Sequence, residues 1–300
     1  MHHYEDIAIP DYIAELRRDA VAGGTAPLGT ARYADADALE RGVGAIRHHV
    51  SVSLSRPLQD GAPIRNDGLP AFKMTLFAEP EGSFGVSSDH VEIDCHGIIN
   101  THVDGFNHFY VRGEAFGLAE DGTDPAESVW RLSERGIITR GVHVDIPAAR
   151  GVDWVDVDHP VTGADIEAAL ALYGLDVLPG DALILDMGRD RFEAAGHSFK
   201  AAAESPNGRP GVGASAAQWI AEHKVSAILW DMMDAVHPDE PLLSAHLLIW
   251  AIGQLEIDNC DFTAARAEAE RLGKHDGMLI LAPLRYPKST ASNVNPLWLL

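Results

Sequence analysis

Between His96 and His108 the chain concentrates three imidazoles and one carboxylate, in the run Cys95-His96-Gly97-Ile98-Ile99-Asn100-Thr101-His102-Val103-Asp104-Gly105-Phe106-Asn107-His108. In an extended backbone, residues two apart share a face. His102 and Asp104 therefore point the same way, and His96 and His108 have the same parity. Neutral imidazole nitrogen with carboxylate oxygen is a ligand set suited to zinc, manganese or iron. Gly105 permits a sharp bend directly after the carboxylate, which would turn His108 back toward the His102/Asp104 pair. The competing reading is a satisfied polar loop in which Asp104 caps a helix and the imidazoles are incidental. Spacing alone leaves both open.

A metal needs further ligands from elsewhere in the chain. His246 lies in the apolar run Leu242–Trp250, where a core histidine is the alternative to a ligand. Asp258 follows Leu255-Glu256-Ile257, and its alternative is the N-cap of a helix starting near Phe262. Asp231, Asp234 and His237 follow a predicted strand, the end at which α/β proteins tend to place ligands. Phe106, Asn107 and Phe109 flank the imidazoles as candidate substrate contacts; the two rings suit either stacking on a flat substrate or core packing. His143, central in a predicted strand, reads as structural. No Gly-x-Ser-x-Gly elbow is present, and neither cysteine lies in a nucleophile motif.

The elements that must position these groups are legible from periodicity and punctuation. Residues 7–23 form a predicted amphipathic helix with Ile13, Leu16 and Ala20 at helical spacing. Strands are expected over 46–54, 72–77, 91–95, 141–146, 182–186, 225–230, 255–257 and 278–281. Thr162 and Asp165 resemble a capping box opening a helix to Tyr173, with Gly174 at its end. Further helices are expected over 215–223, 241–252 and 262–272. Alternation of this kind predicts an α/β fold, a mixed sheet flanked by helices in a single compact domain. The domain would span 50–300, with residues 1–49 an N-terminal helix and extension, a candidate for docking a partner subunit.

Composition narrows the function classes. A formal net charge of -22 over 300 residues argues against nucleic acid, which needs clustered Lys and Arg. No apolar run approaches the length of a membrane span, and the N-terminus lacks a secretory pattern. Two cysteines, Cys95 and Cys260, are too few for a disulfide scaffold and predict a reducing, cytoplasmic setting.

Thr101-His102-x-Asp104-x-x-x-His108 resembles the signature of the metal-dependent cyclase family that includes bacterial kynurenine formamidases and isatin hydrolases, whose pattern is His-x-Gly-Thr-His-x-Asp-x-Pro-x-His. That family also places a His twelve residues before an acidic residue followed by Asn, as His246 and Asp258-Asn259 stand here. Pro179-Gly180-Asp181, Ala282–Arg285 and Asn293–Pro296 match further segments, so the resemblance spans about residues 50–300. It departs at Ile98, where the family has its first His, and at Asn100, Phe106 and Asp258, where the family has Gly, Pro and Glu. His96, two residues before Ile98, is the candidate replacement.

The resemblance implies the family's swivelling β/β/α fold, with His102 and Asp104 as primary ligands of Mn or Zn. His246 and Asp258 would complete the site, and His108 would be the general acid/base. The missing His favours one metal over two. The implied reaction is hydrolysis of an amide, imide, lactone or related carbonyl bond in a small cyclic or aromatic molecule by metal-activated water. A homodimer or homotetramer is implied as well. Two alternatives stay open: a non-haem iron oxygenase using His102, Asp104 and His246 as a facial triad, and a non-catalytic protein with a structural metal. The oxygenase would call for a strand-dominated barrel.

Overall fold

Apolar residues in unbroken runs mark strands buried on both faces, and the longest of these runs build the centre of this fold. The computed structural model describes residues 7–24, 27–60, 70–77, 82–83, 85–117, 124–203, 205 and 208–300. Its strands are β1 (Ser51–Ser53), β2 (Phe72–Leu76), β3 (Asp89–Ile93), β4 (His102–Asp104), β5 (Ile137–Asp145), β6 (Ala182–Asp186), β7 (Ala227–Trp230), β8 (Leu255–Asp258), β9 (Asp276–Leu281), β10 (Ala291–Asn293) and β11 (Leu297–Leu299). Nine form one sheet in the order β1-β11-β9-β5-β6-β7-β8-β4-β10, while β2 and β3 pair as a separate hairpin. Strands β5 to β8 run parallel to one another. The remaining neighbours pair antiparallel. The fold is the predicted α/β type, a mixed sheet flanked by helices.

Strand periodicity of two explains how one sheet serves two cores. Leu183 and Leu185 of β6 join one apolar cluster with Val142, Val144, Ile228 and Trp230. Ala182 and Ile184 join the other with Leu229, Ile257, Leu279 and Trp298. Helices cover both faces, which is why β6 shows no polar alternation. The helix Gly163–Tyr173 opens with the expected capping box of Thr162 and Asp165 and closes on Gly174 in the left-handed conformation.

Several boundaries differ from the sequence reading. The strand expected over 46–54 is confined to β1. The helix expected over 241–252 is helical only over Leu247–Ile252. Its first half is an irregular turn, with Leu243 at φ 59° and the Ala245 amide donating to Asp234 Oδ1. The N-terminal helix Asp11–Ala22 lays its Ile13/Arg17 face on its own chain. Arg17 donates to the carbonyls of Trp250 and Ala115 at 3.1 and 3.4 Å. The helix Ala36–Ala45 packs as closely: a Cβ at Gly42 would stand 2.7 Å from the backbone of Thr139 in β5. Among the described residues, no helix is long and apolar enough to cross a membrane.

For function, the decisive strand is β4, which lies between β8 and β10. Its register sets His102 opposite Asp258 and Asn293, and Asp104 opposite Ala291. The turn after Leu247–Ile252 is set by Gly253, at φ 67° and pressed against Gly29 and Phe116. A Cβ there would stand 2.5 Å from the Phe116 ring and 2.7 Å from Gly29 Cα. Gly253→Ala is expected to destabilise the protein by about 1–3 kcal/mol through overpacking and a strained φ. Calorimetry would read this as a Tm drop of roughly 2–4 °C per kcal/mol; an unchanged Tm would refute the close packing.

Candidate metal centre

Antiparallel pairing of β4 with β8 places two carboxylates and an imidazole on one buried face. His102 Nε2 lies 3.4 Å from Asp104 Oδ1 and 3.9 Å from Asp258 Oδ2. His246, just ahead of its short helix, brings Nε2 to 3.6 Å from Asp258 Oδ2. His96 Nδ1 stands 3.3 Å from Asp104 Oδ1. His108 Nε2 stands 3.9 Å from Asp104 Oδ2. His102, Asp104 and Asp258 are at most 3% exposed and His246 is 6% exposed, whereas the His96 and His108 side chains are 24% and 35% exposed. The cluster is therefore buried on one side and open to solvent on the other. The rings of His96 and His108 stack across that opening, with centroids 3.9 Å apart.

The outer nitrogens of the two buried imidazoles are already committed. His102 Nδ1 lies 2.9 Å from the carbonyl of Asn100, which can only accept, so Nδ1 carries the proton. His246 Nδ1 contacts the Asp234 carboxylate in the same sense. In the neutral tautomers both Nε2 lone pairs then face carboxylate oxygens. Asp104 Oδ1 and His96 Nδ1 are buried without hydrogen-bond partners. Lone pairs aimed at anions repel unless protons or a cation lie between them. The ligating atoms of His96, His102 and Asp104 lie within 4.8 Å of one another, as do those of Asp104, His246 and Asp258. The donor set thus fits a divalent cation, with Asn100 and Asp234 as the outer partners that orient ligating histidines.

The electrostatics agree. Burial pushes His102 down, but Asp104 and Asp258 outweigh it and raise its pKa to about 9. Burial likewise opposes, and Glu256 and Asp234 overcome, the rise of His246 well above its ordinary value. Asp104 is held well below the usual carboxylate range, burial being outweighed by His108, His102 and His96. His108 behaves oppositely: burial and the neighbouring imidazoles lower it below 6.5 against the pull of Asp104.

The other candidates are dispersed. Phe106 is a core residue, 2% exposed and edge-on to Phe116, so it offers no face to a ligand. Phe109 does border the site, its ring centroid 5.6 Å from that of His246. Asn107 is 9% exposed, with a buried Oδ1 that has no hydrogen-bond partner. Asp258 caps no helix; it receives the Trp230 indole N–H. His237 Nδ1 accepts from the Asp239 amide in an exposed turn.

Sequence reasoning missed Glu256. It is fully buried on β8 with neither oxygen hydrogen-bonded, and Oε2 is 3.7 Å from His246 Nδ1. Burial, followed by the Asp234, Asp258 and Asp104 charges, raises its pKa well above the ordinary value although His246 opposes this. The available signal was its i, i+2 relation to Asp258 on one strand.

A second buried cluster joins the ends of β5 and β6. His143 Nε2 lies 3.3 Å from Asp186 Oδ2, and Arg266 pairs with both Asp186 and Asp190. Arginine supplies the positive charge there, so the cluster reads as an ion-pair network. Beside it His275 Nδ1 lies 3.2 Å from His143 Nδ1, and its ring stacks on Tyr173. Burial and His143 push His275 down to about 4, against Asp276. The unfolded chain binds this proton near pH 6.5 and the folded chain only near 4. Stability should therefore fall with pH across that window and level off below it. Urea melts of His275→Gln should show a shallower fall; identical slopes would overturn the assignment.

Comparison with known proteins bears on the fold. The Cyclase family model matches residues 52–236, more than half the chain, and the protein belongs to that family. A structure described as a novel cyclase superposes with a TM-score of 0.80 at 19% identity, covering 98% of this chain and all of the other. An isatin hydrolase bound to the product analogue thioisatinate gives a TM-score of 0.61 at 20% identity, covering 89% and 99% of the two chains. Isatin hydrolase A from Ralstonia solanacearum gives 0.59 at 19% identity, with 87% and 95% covered. No curated protein sequence matches the chain.

Proposed function

We propose that this member of the Cyclase family is a metal-dependent hydrolase acting on an amide, imide, lactone or related carbonyl bond in a small cyclic or aromatic substrate. One observation carries the reading. Two buried imidazoles with committed Nδ1 atoms aim their Nε2 atoms at Asp104 and Asp258, at a centre open to solvent beside His96 and His108. Structural zinc sites are closed and favour cysteine, and this centre is neither. The parallel-centred sheet also differs from the strand-dominated barrel that the oxygenase alternative calls for. Isatin hydrolases among the structural neighbours support the choice of carbonyl substrates.

His102, Asp104, His246 and Asp258 would hold the cation, with His96 as a further ligand; Mn and Zn suit these nitrogen and oxygen donors. A cation held there would supply Lewis acidity toward a carbonyl and toward a nearby water. His108 stands at the opening, and its lowered pKa leaves it neutral near pH 7. A neutral imidazole there can take a proton from the attacking water and return it to the leaving nitrogen or oxygen. The His108 ring stacks on that of His96, and the Phe109 ring walls the site beside His246.

Elemental analysis of protein purified without added metal or affinity tag should find about one Mn or Zn per chain, lost in His102→Ala/Asp104→Ala. Wild-type protein that takes up neither Mn, Zn nor Fe would sink the reading. With metal retained, His108→Gln should lower kcat by ~10²- to 10⁴-fold on an amide or lactone found by screening. A change confined to KM would remove His108 from the proton-transfer role.

A further inference from the structure

The loop before β4 is held by a buried arginine and an asparagine that donate to its carbonyls. Arg189 is 3% exposed, with its guanidinium stacked 4.3 Å above the Phe199 ring. It donates to the carbonyl of Ile98 at 2.8 Å and to Asn259 Oδ1 at 2.9 Å. Its remaining donors reach the Asp231 carbonyl at 3.2 Å and Glu193 at 2.9 Å. Because Asn259 Oδ1 accepts from arginine, the orientation of its amide is fixed. Nδ2 then donates to the carbonyls of Gly97 at 2.7 Å and Asn100 at 3.2 Å. The Asn259 carbonyl in turn accepts from Thr101 Oγ1 at 2.7 Å.

Three carbonyls within four residues are thus turned toward one clamp. With Gly97 at φ 103°, the chain bends so that His96, rather than residue 98, faces Asp104. Thr290 Oγ1 meets His96 Nε2 at 2.9 Å, which leaves Nδ1 on the Asp104 side without a hydrogen-bond partner. Burying a guanidinium is unfavourable unless its donors are satisfied; here two of its four partners are the loop and the asparagine that holds the loop.

We propose that Arg189 and Asn259 are positioning residues that set the 97–100 loop so that His96 supplies Nδ1 as a metal ligand in place of a side chain at position 98. This rests on the metal-centre reading above. Ile98 is then explained: its backbone carbonyl is what the clamp engages, and its side chain is not needed for ligation.

The test is a double-mutant cycle read by Co²⁺ binding and by the visible spectrum of the Co²⁺-loaded protein. Asn259 sits at φ 56°, so Asn259→Gly keeps the backbone and removes the asparagine's half of the clamp, its bonds to Gly97 and Asn100. His96→Ala and Asn259→Gly should each weaken Co²⁺ binding about 10- to 100-fold. Their spectra should match, and the double variant should bind no more weakly than either single one. Should Asn259→Gly fail to fold, Asn259→Asp retains the acceptor for Arg189, loses the donors to Gly97 and Asn100, and should give the same loss. Unchanged affinity in His96→Ala or in a folded Asn259 variant, or losses that multiply in the double variant, overturn the proposal while leaving a metal centre in place. Wild-type protein that binds no Co²⁺ overturns the metal reading, and this one with it.

Discussion

The β4–β8 ladder sets His102 opposite Asp258, with Asp104 two residues along the same face, all almost completely withdrawn from solvent. Burying carboxylates is among the most expensive steps in folding unless positive charge or donors meet them. Among the described residues, the ion-pair partners of Asp104 and Asp258 are all histidines. Two of these histidines already use Nδ1 to bind outward. The surrounding architecture serves to keep this like-charged, lone-pair-rich cluster assembled.

The contrast with the cluster at the ends of β5 and β6 makes the point. Asp145 and Asp186 are register partners there, as close in kind to a ligand set as the β4 residues. Arg266 pairs with Asp186, and Arg191 reaches to 3.9 Å from Asp145. The guanidinium charge beside those carboxylates is permanent, because arginine does not titrate in proteins. The result is an ion-pair network. At β4 the compensating groups are imidazoles, whose protons can be exchanged for a cation. Two acid-rich clusters in one sheet therefore differ in their counter-charges, arginine in one and histidine in the other.

Support for the centre comes from distant parts of the chain. The N-terminal helix packs on Leu247–Ile252, so Ile13 and Arg17 brace the segment that follows His246. Trp230, at the end of β7, gives its indole N–H to Asp258. Arg189 and Asn259 tie the 97–100 loop to the ends of β7 and β8. Arg17, Trp230, Arg189 and Asn259 each place side-chain donors on acceptors while fixing an element next to the cluster.

Local pattern alone determined much of this. The apolar runs of β6 and β7, the capping box at Thr162 and the helix–strand alternation of the second half were legible because they depend on neighbours within a few residues. The His102/Asp104 pair was legible for the same reason, since a strand places i and i+2 on one face. Only the tertiary structure could show that Glu256 lies behind His246, or that Phe106 turns into the core rather than toward a ligand. Only it could show that the run before Leu247 is irregular, or that His96 reaches Asp104 across the loop at Ile98. Those outcomes depend on strand register and on which distant side chain satisfies a buried carbonyl or carboxylate. Register and satisfaction are properties of the packed chain, and no local spacing encodes them.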